Sequence, residues 1–565
     1  MPLSLKLLFV VPAFALGTAV CSAAIGPDVV ASAPHPAGLR DLGALPSLSR
    51  MSVAISLPYR HREELERLVE SQSDPSSPLY GRFLSKAQFN AYFAPDAGQY
   101  ARVLAILRMA GFSVRTYENR TLIDASAPVR TVERFFRTDI HRFAQAGAGV
   151  RIANVRDATA PEVLRGAISG VAGLENVDRF HTLNHFAPNR VSRSPGTSVP
   201  QLAVPGKLFG PDFGYGPTAY IDAYELPVHA ATGKNQVVAN VIDADFLDSD
   251  LAAYLKYFGV YRSGPPTVRV PIDGGPPSGL GSPDSVETTL DVETLVSLAP
   301  GSSLYVYEFP DFSNNQYILD AYEQVVVDDF AGTVNSSFGG CEIGAAELGY
   351  PQMTDQIALQ GAALGITFHA STGDSGNITF GCSSTTVLSP ASSPHFMAIG
   401  GTSLYLNPST DKVVHEFGWG GSGQFGATGG GVSVVFPLPR YQNGVSGVIS
   451  TGRNIPDLSL DADPGTGESF YYAGAFQGPI GGTSLSSPIF GAAQTLLNEL
   501  AGREAGFVNP AYYRTLAQHG YGNGASLLFR DIIVGSNGFY QAHPGYDQMT
   551  GIGAPIIGNL HPFVR

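Results

Sequence analysis

The run Gly481-Gly482-Thr483-Ser484-Leu485-Ser486-Ser487-Pro488 sets a serine behind a glycine-rich turn, at the start of an apolar stretch. Ile489, Phe490, Ala492, Ala493, Leu496, Leu497 and Leu500 then recur at helical spacing. Free backbone N–H groups and the positive end of the helix dipole converge on such a serine, which suits a nucleophile whose reaction creates an oxyanion. Taken alone, the tetrapeptide reads as a turn and helix cap, and its context must decide otherwise. A serine nucleophile usually takes its base from histidine, yet none of the 12 histidines stands in a His-Gly-Thr-like helix start. Carboxylates are offered instead. Glu287 and Asp291 are spaced so that a helix puts both on one face, where crowded carboxyls titrate as a pair and one holds a proton while the other accepts one. Asp284 and Glu287 also have capping-box spacing, an arrangement that would leave Asp291 exposed. A third carboxylate, Asp374, lies in Ser371-Thr372-Gly373-Asp374-Ser375-Gly376, directly after an apolar run. Strand ends of parallel sheets are where sites gather.

Positioning these groups requires a framework, and the alternation of elements predicts one. Buried-type strand runs at 237–242, 303–307, 333–336, 366–370 and 396–399 alternate with helical stretches, which favours an α/β domain whose parallel sheet is covered by helices on both faces. Ahead of it, strands at 53–57, 113–117, 121–126 and 140–143 and helices at 62–72, 86–93, 100–110 and 131–137 predict a small α+β domain ending near residue 185. Residues 186–208 turn to Pro, Ser, Arg and Gly, a linker suited to proteolytic cutting. Residues 1–24 carry one basic residue, Lys6, then an apolar run to Val20 and the small Ser22, Ala23 and Ala24, which read as a secretory signal peptide. No later segment is long and apolar enough to span a bilayer, so a secreted protein without a membrane partner is the expectation.

Charge divides unevenly. Residues 1–206 carry 22 Lys and Arg against 16 Asp and Glu, whereas 207–565 carry 12 against 32. The parts should attract, the acidic part should repel nucleic acid, and acid should loosen their contact by protonating carboxylates. Beyond Cys21 in the leader, Cys341 and Cys382 suit one disulfide in an oxidising compartment or two buried thiols.

In that order, Glu287-x-x-x-Asp291, Ser371-Thr372-Gly373-Asp374-Ser375-Gly376 and Gly482-Thr483-Ser484-x-x-x-Pro488 resemble the sedolisin family of serine-carboxyl peptidases. Gly373-Asp374-Ser375-Gly376 also imitates the nucleophile segment of trypsin-like proteases, but no Ala-Ala-His-Cys-like segment accompanies it. Further family-like segments are Pro390-Ala391-Ser392-Ser393-Pro394, Gly429-Gly430-Gly431-Val432-Ser433 and Ala462-Asp463-Pro464. Residues 40–185, with Asp74-Pro75 and Tyr80-Gly81, resemble the family's activation prodomain.

The resemblance implies a subtilisin-like catalytic domain over 209–565, preceded by a ferredoxin-like inhibitory prodomain over 25–185. It also implies Ser484 as nucleophile, Glu287 as general base, Asp291 as the group orienting it and Asp374 in the oxyanion hole. A glutamate with pKa about 4.3 still accepts protons where a histidine near about 6.5 is already charged, so such a site works in acid. Phe338 stands where many relatives carry a tryptophan, so an indole donor is missing. By the same resemblance, Asp531-Ile532-Ile533-Val534-Gly535 and His543-Pro544-Gly545-Tyr546-Asp547 form a loop for one structural Ca2+. Its ligands are the carboxylates of Asp531 and Asp547 and the carbonyls of Ile532, His543 and Gly545. The expected partners are protein or peptide substrates and the chain's own prodomain, on a monomer. The reading from another class is a catalytically inactive, calcium-stabilised secreted binding protein of the same fold.

Overall fold

Val237–Ile242 is apolar apart from Asn240 and is buried along almost its whole length, as a central parallel strand must be. In the computed structural model it lies inside an eight-stranded sheet. The order runs Val268–Pro271, Ser303–Glu308, Val237–Ile242, Thr333–Asn335, Thr367–Ser371 and Phe396–Leu406, all parallel. The long last strand is then shared: Leu458–Asp461 pairs in parallel with its first half and Val413–Gly418 antiparallel with its second. The structure describes residues 28–34, 39–145, 149–177, 180–187, 208–347, 349–376, 382, 386–420 and 426–564. The expected signal peptide, Cys21 and most of the 186–208 linker lie outside them.

Helices flank the sheet. Ser285–Leu298 packs on Thr483–Ala501, and Gln316–Asp328 packs on Tyr350–Leu364. The first pair is buried on nearly all sides, which is why its sequence shows little amphipathic contrast. This expected subtilisin-like α/β architecture is the one observed.

The N-terminal part is a separate layer with its own core of residues such as Val53, Ile55, Leu107, Ile123, Val132 and Phe136. An antiparallel sheet of Ser113–Thr116, Leu122–Pro128, Arg50–Ser56 and Gly170–Ala172 carries the helices Ala97–Ala110 and Val129–Phe136. Arg62–Gln72 lies against the helix Tyr350–Leu364 of the larger α/β part. Cys341 and Cys382 are disulfide-bonded with Cα atoms 5.6 Å apart, which settles the choice between a bridge and free thiols. Asn119 and Asn335, each in an Asn-x-Ser/Thr sequon, are buried, so neither offers its amide for glycosylation.

Candidate active site

Ser484 is the second residue of the helix Thr483–Ala501, whose N-cap is Gly482. Gly482 has φ 117°, a conformation that favours glycine, and a Cβ there would collide with the Leu183 carbonyl and with Asp374 Oδ2. The tight turn thus brings the serine, a carboxyl and an incoming peptide together.

Glu287 and Asp291 lie on the buried helix Ser285–Leu298, one turn apart on the face towards Ser484. Ser484 Oγ donates to Glu287 Oε2 at 2.9 Å. Asp291 Oδ1 accepts from Ser337 Oγ at 2.5 Å, and the Ser337 carbonyl lies 3.2 Å from Ser484 Oγ, so Ser337 touches both ends of the arrangement. Pro488, lacking an N–H, leaves the Ser484 carbonyl without its usual helical donor, and Ser337 Oγ stands 3.4 Å from it. The capping-box alternative is not what forms. Asp284 makes no side-chain cap, and Glu287 and Asp291 are both fully buried.

Burial, reinforced by the neighbouring Asp291, pushes the Glu287 carboxyl well above the carboxylate range; burial also pushes Asp291 up to about 7, against hydrogen bonds from Ser337, Asn240 and Asn335. Crowded carboxyls resist ionising together, so at least one of the two keeps its proton through the acid range.

Asp374 follows the strand Thr367–Ser371 and crosses to the turn. Its Oδ1 accepts from the Thr483 N–H and the Thr483 hydroxyl, both at 2.7 Å, while Oδ2 has no hydrogen-bond partner. Burial raises its carboxyl to about 6, opposed by His185 and the Thr483 bonds. A neutral Asp374 has an O–H to give towards the position where the Ser484 N–H also points.

Sequence reasoning did not foresee the role of residues 181–187. His181–Thr182 pairs antiparallel with Phe338–Gly339, and His185–Phe186 pairs antiparallel with Ile480–Gly481. Between them Leu183 donates its N–H to the Ser337 carbonyl at 3.3 Å and accepts from the Ser484 N–H at 3.1 Å. Asn184 Nδ2 donates to Glu287 Oε2 at 2.7 Å, and His185 Nε2 lies 3.5 Å from Asp374 Oδ2. The segment lies across the cleft as an added strand. Two-residue bridges leave no periodicity in a sequence, so no pattern could have revealed it. The supporting hydrogen bonds of Ser337, Asn335 and Asn240 were also missed, although Ser336-Ser337 beside Phe338 was a polar signal.

Asp531 and Asp547 come together on one loop. Asp531 Oδ2 accepts from the Gly545 N–H and Asp547 Oδ2 from the His543 N–H, each at 3.1 Å. Burial raises both carboxyls, and no lysine or arginine figures among the charges acting on either. A half-buried and a buried acid, with no lysine or arginine pairing among the described residues, in a loop rich in carbonyls, fit a hard cation. Elsewhere among the described residues, Asp124, Asp273 and Asp320 bring carboxylate oxygens close enough to hold an ion, but the Arg115 guanidinium already reaches all three, at 2.5, 2.7 and 3.1 Å.

Residues 37–177 match the family model described as the pro-kumamolisin activation domain. Sedolisin of Pseudomonas sp. is 31% identical over 91% of this chain and 87% of its own length, and kumamolisin of Bacillus sp. is 30% identical over 91% and 92%. Tripeptidyl-peptidase 1 of Macaca fascicularis is 27% identical over 92% of both chains. The solved structure of Pseudomonas sedolisin, a serine-carboxyl proteinase complexed with two molecules of pseudo-iodotyrostatin, superposes with a TM-score of 0.56 at 31% identity, over 63% of this chain and 99% of that one. With an activation domain ahead of a subtilisin-like domain that gathers a serine and three carboxyls, the chain belongs to the sedolisin family of serine-carboxyl peptidases.

Proposed function

We propose that the protein is a secreted, acid-acting serine-carboxyl endopeptidase made as a zymogen, with signal residues 1–24, prodomain 25–185, linker 186–208 and catalytic domain 209–565. The observation that carries this reading is Ser484 Oγ on Glu287 at 2.9 Å while the Ser484 N–H holds the Leu183 carbonyl. Ser484 Oγ attacks the carbonyl carbon and Glu287 takes its proton. Asp291, one turn along the same helix, orients it, and neutral Asp374 with the Ser484 N–H stabilises the oxyanion. The C–N bond then breaks as the proton passes from Glu287 to the leaving amine. A water, deprotonated by Glu287, frees the acyl group from Ser484.

Endopeptidase action is supported by the polypeptide itself, which continues through the cleft on both sides of Leu183. Towards the N-terminus Phe180 packs its ring on Phe338 and Tyr350, at centroid distances of 6.2 and 4.9 Å. A free amine three residues before the cut has no place in that arrangement. Leu183–Asn184 is then the first bond cut, just ahead of the 186–208 linker. The substrates are proteins or peptides, and nucleic acid, membrane and a second subunit have no part in the reading. Asp531 and Asp547, with the Ile532, His543 and Gly545 carbonyls, would hold one Ca2+ that supplies rigidity rather than chemistry.

The test is to express the full chain with Ser484→Ala and transfer it to acid. The variant stays at full length, whereas the wild type yields a product beginning at or after Asn184. Conversion of the variant at the wild-type rate would sink the assignment of Ser484.

A further inference from the structure

The segment in the cleft also sets a register from which a substrate preference can be read, an inference that rests on the peptidase reading above. With its N–H on the Ser337 carbonyl and its own carbonyl on the Ser484 N–H, Leu183 occupies the residue position before the cut, and Thr182 the position before that. Thr182 Oγ1 donates to Asp284 Oδ1 at 3.0 Å. Asp284 stands just before the helix that carries Glu287, so the loop that starts the catalytic helix also faces the second residue on the acyl side.

Behind Asp284 lies Asp243, buried at the end of the central strand Val237–Ile242. Burial, with Asp284 close by, pushes the Asp243 carboxyl well up, so Asp243 keeps its proton behind the carboxyl that Thr182 meets. Among the described residues no lysine or arginine pairs with either. A side chain that brings a positive charge or a hydroxyl donor meets a carboxylate lacking its counter-charge; an acidic one meets like charge in a cleft walled by protein.

We propose that Asp284 determines specificity at the second residue before the scissile bond, selecting cationic or hydroxyl-bearing side chains and rejecting acidic ones. The shape of the hydroxyl contact is already filled by the chain's own threonine.

Four peptides carrying the sequence of residues 180–187 test this, one unaltered and three with Lys, Leu or Asp in place of the threonine. Each is digested by the matured wild type and by Asp284→Asn, and the products are sequenced. The expected order of kcat/KM for the wild type is Lys and Thr above Leu and Asp last, with a Lys-to-Asp ratio of about 100-fold that falls to within about 5-fold in the variant. Equal cleavage of all four by the wild type, at the Leu–Asn bond, would overturn the role of Asp284 and leave the peptidase reading standing. If the wild type cleaves none of them, or cuts elsewhere, the register and the active-site reading fall together. The wild-type ranking alone decides the matter if the variant does not mature.

Discussion

At the scale of single residues, the chemistry depends on which carboxyls hold protons. Asp374 is useful to an oxyanion only while neutral, since its charged form would repel the developing negative charge. Its carboxyl is raised by burial to about 6, so it is neutral in acid and ionises as pH rises through that value. The kcat/KM of the matured enzyme should therefore decline above about 6. An amide in its place cannot ionise and still donates. Asp374→Asn should lose about 10-fold at its best pH but keep its remaining activity further towards neutrality. If variant and wild type decline at the same pH, another group sets the limb. Glu287 and Asp291 were legible because a four-residue interval maps directly onto one helical face. Ser337 was not, because nothing in its spacing announces that its hydroxyl would serve Asp291 where a tryptophan is absent. Glu287 Oε1 and Asp291 Oδ2 are both buried without a hydrogen-bond partner.

Elements whose pattern is set within their own sequence were the easiest to read, and those that gain order only through partners were the hardest. Val237–Ile242 and Arg62–Gln72 match their expected limits because a continuous apolar run and a clear 3.6-residue pattern are local properties. Phe396–Leu406 runs far past its expected end at residue 399, since Gly400-Gly401 reads as a stop. Its glycines instead let Trp419 and Ala462 on one residue, and Ser459 and Pro456 on the other, approach closely. Val268–Pro271 was missed as a short edge strand with a terminal proline. The C-terminal loop is an element of this dependent kind. Between Phe529–Arg530 and Ala554–Pro555 the chain has little regular structure and relies on Asp531 and Asp547 binding their own backbone. A cation between those carboxyls would bind the folded loop and not the unfolded chain, stabilising it by mass action. Exhaustive chelation should lower the melting temperature by several degrees, on the order of 5 °C, and added Ca2+ should restore it where Mg2+ does not. A melting curve indifferent to chelator would remove the ion from the description.

At the scale of the whole molecule, the basic and acidic parts do meet through ion pairs, but the interface as a whole need not open in acid. Arg62 pairs with Asp355 at 3.0 Å; although burial opposes it, His395 and Arg62 hold that carboxyl well below the usual range, so mild acid leaves the pair intact. Asp320 is raised by burial and by Asp124, and Arg115 spans the two. Glu323, fully buried under the Thr121 hydroxyl of the prodomain, is raised by burial from its ordinary 4.5 to about 7. Its protonated form suits the closed interface, so Glu323 costs nothing below its ordinary range and costs increasingly more as pH rises from there to about 7. If separation returns it to water, that cost reaches at most about 3 kcal/mol. Simple attraction between a basic and an acidic part predicts loosening in acid, whereas these buried carboxyls favour the closed form there. On the proposed function, release follows from cutting the 181–187 strand rather than from protonation alone. Hydrogen exchange on the uncut Ser484→Ala precursor, corrected for intrinsic rates, should show the helix Gln316–Asp328 better protected in mild acid than above neutrality. Glu323→Gln should abolish most of that difference, because its side chain cannot ionise. Greater opening of this helix in mild acid would return the switch to the bulk charge of the two parts.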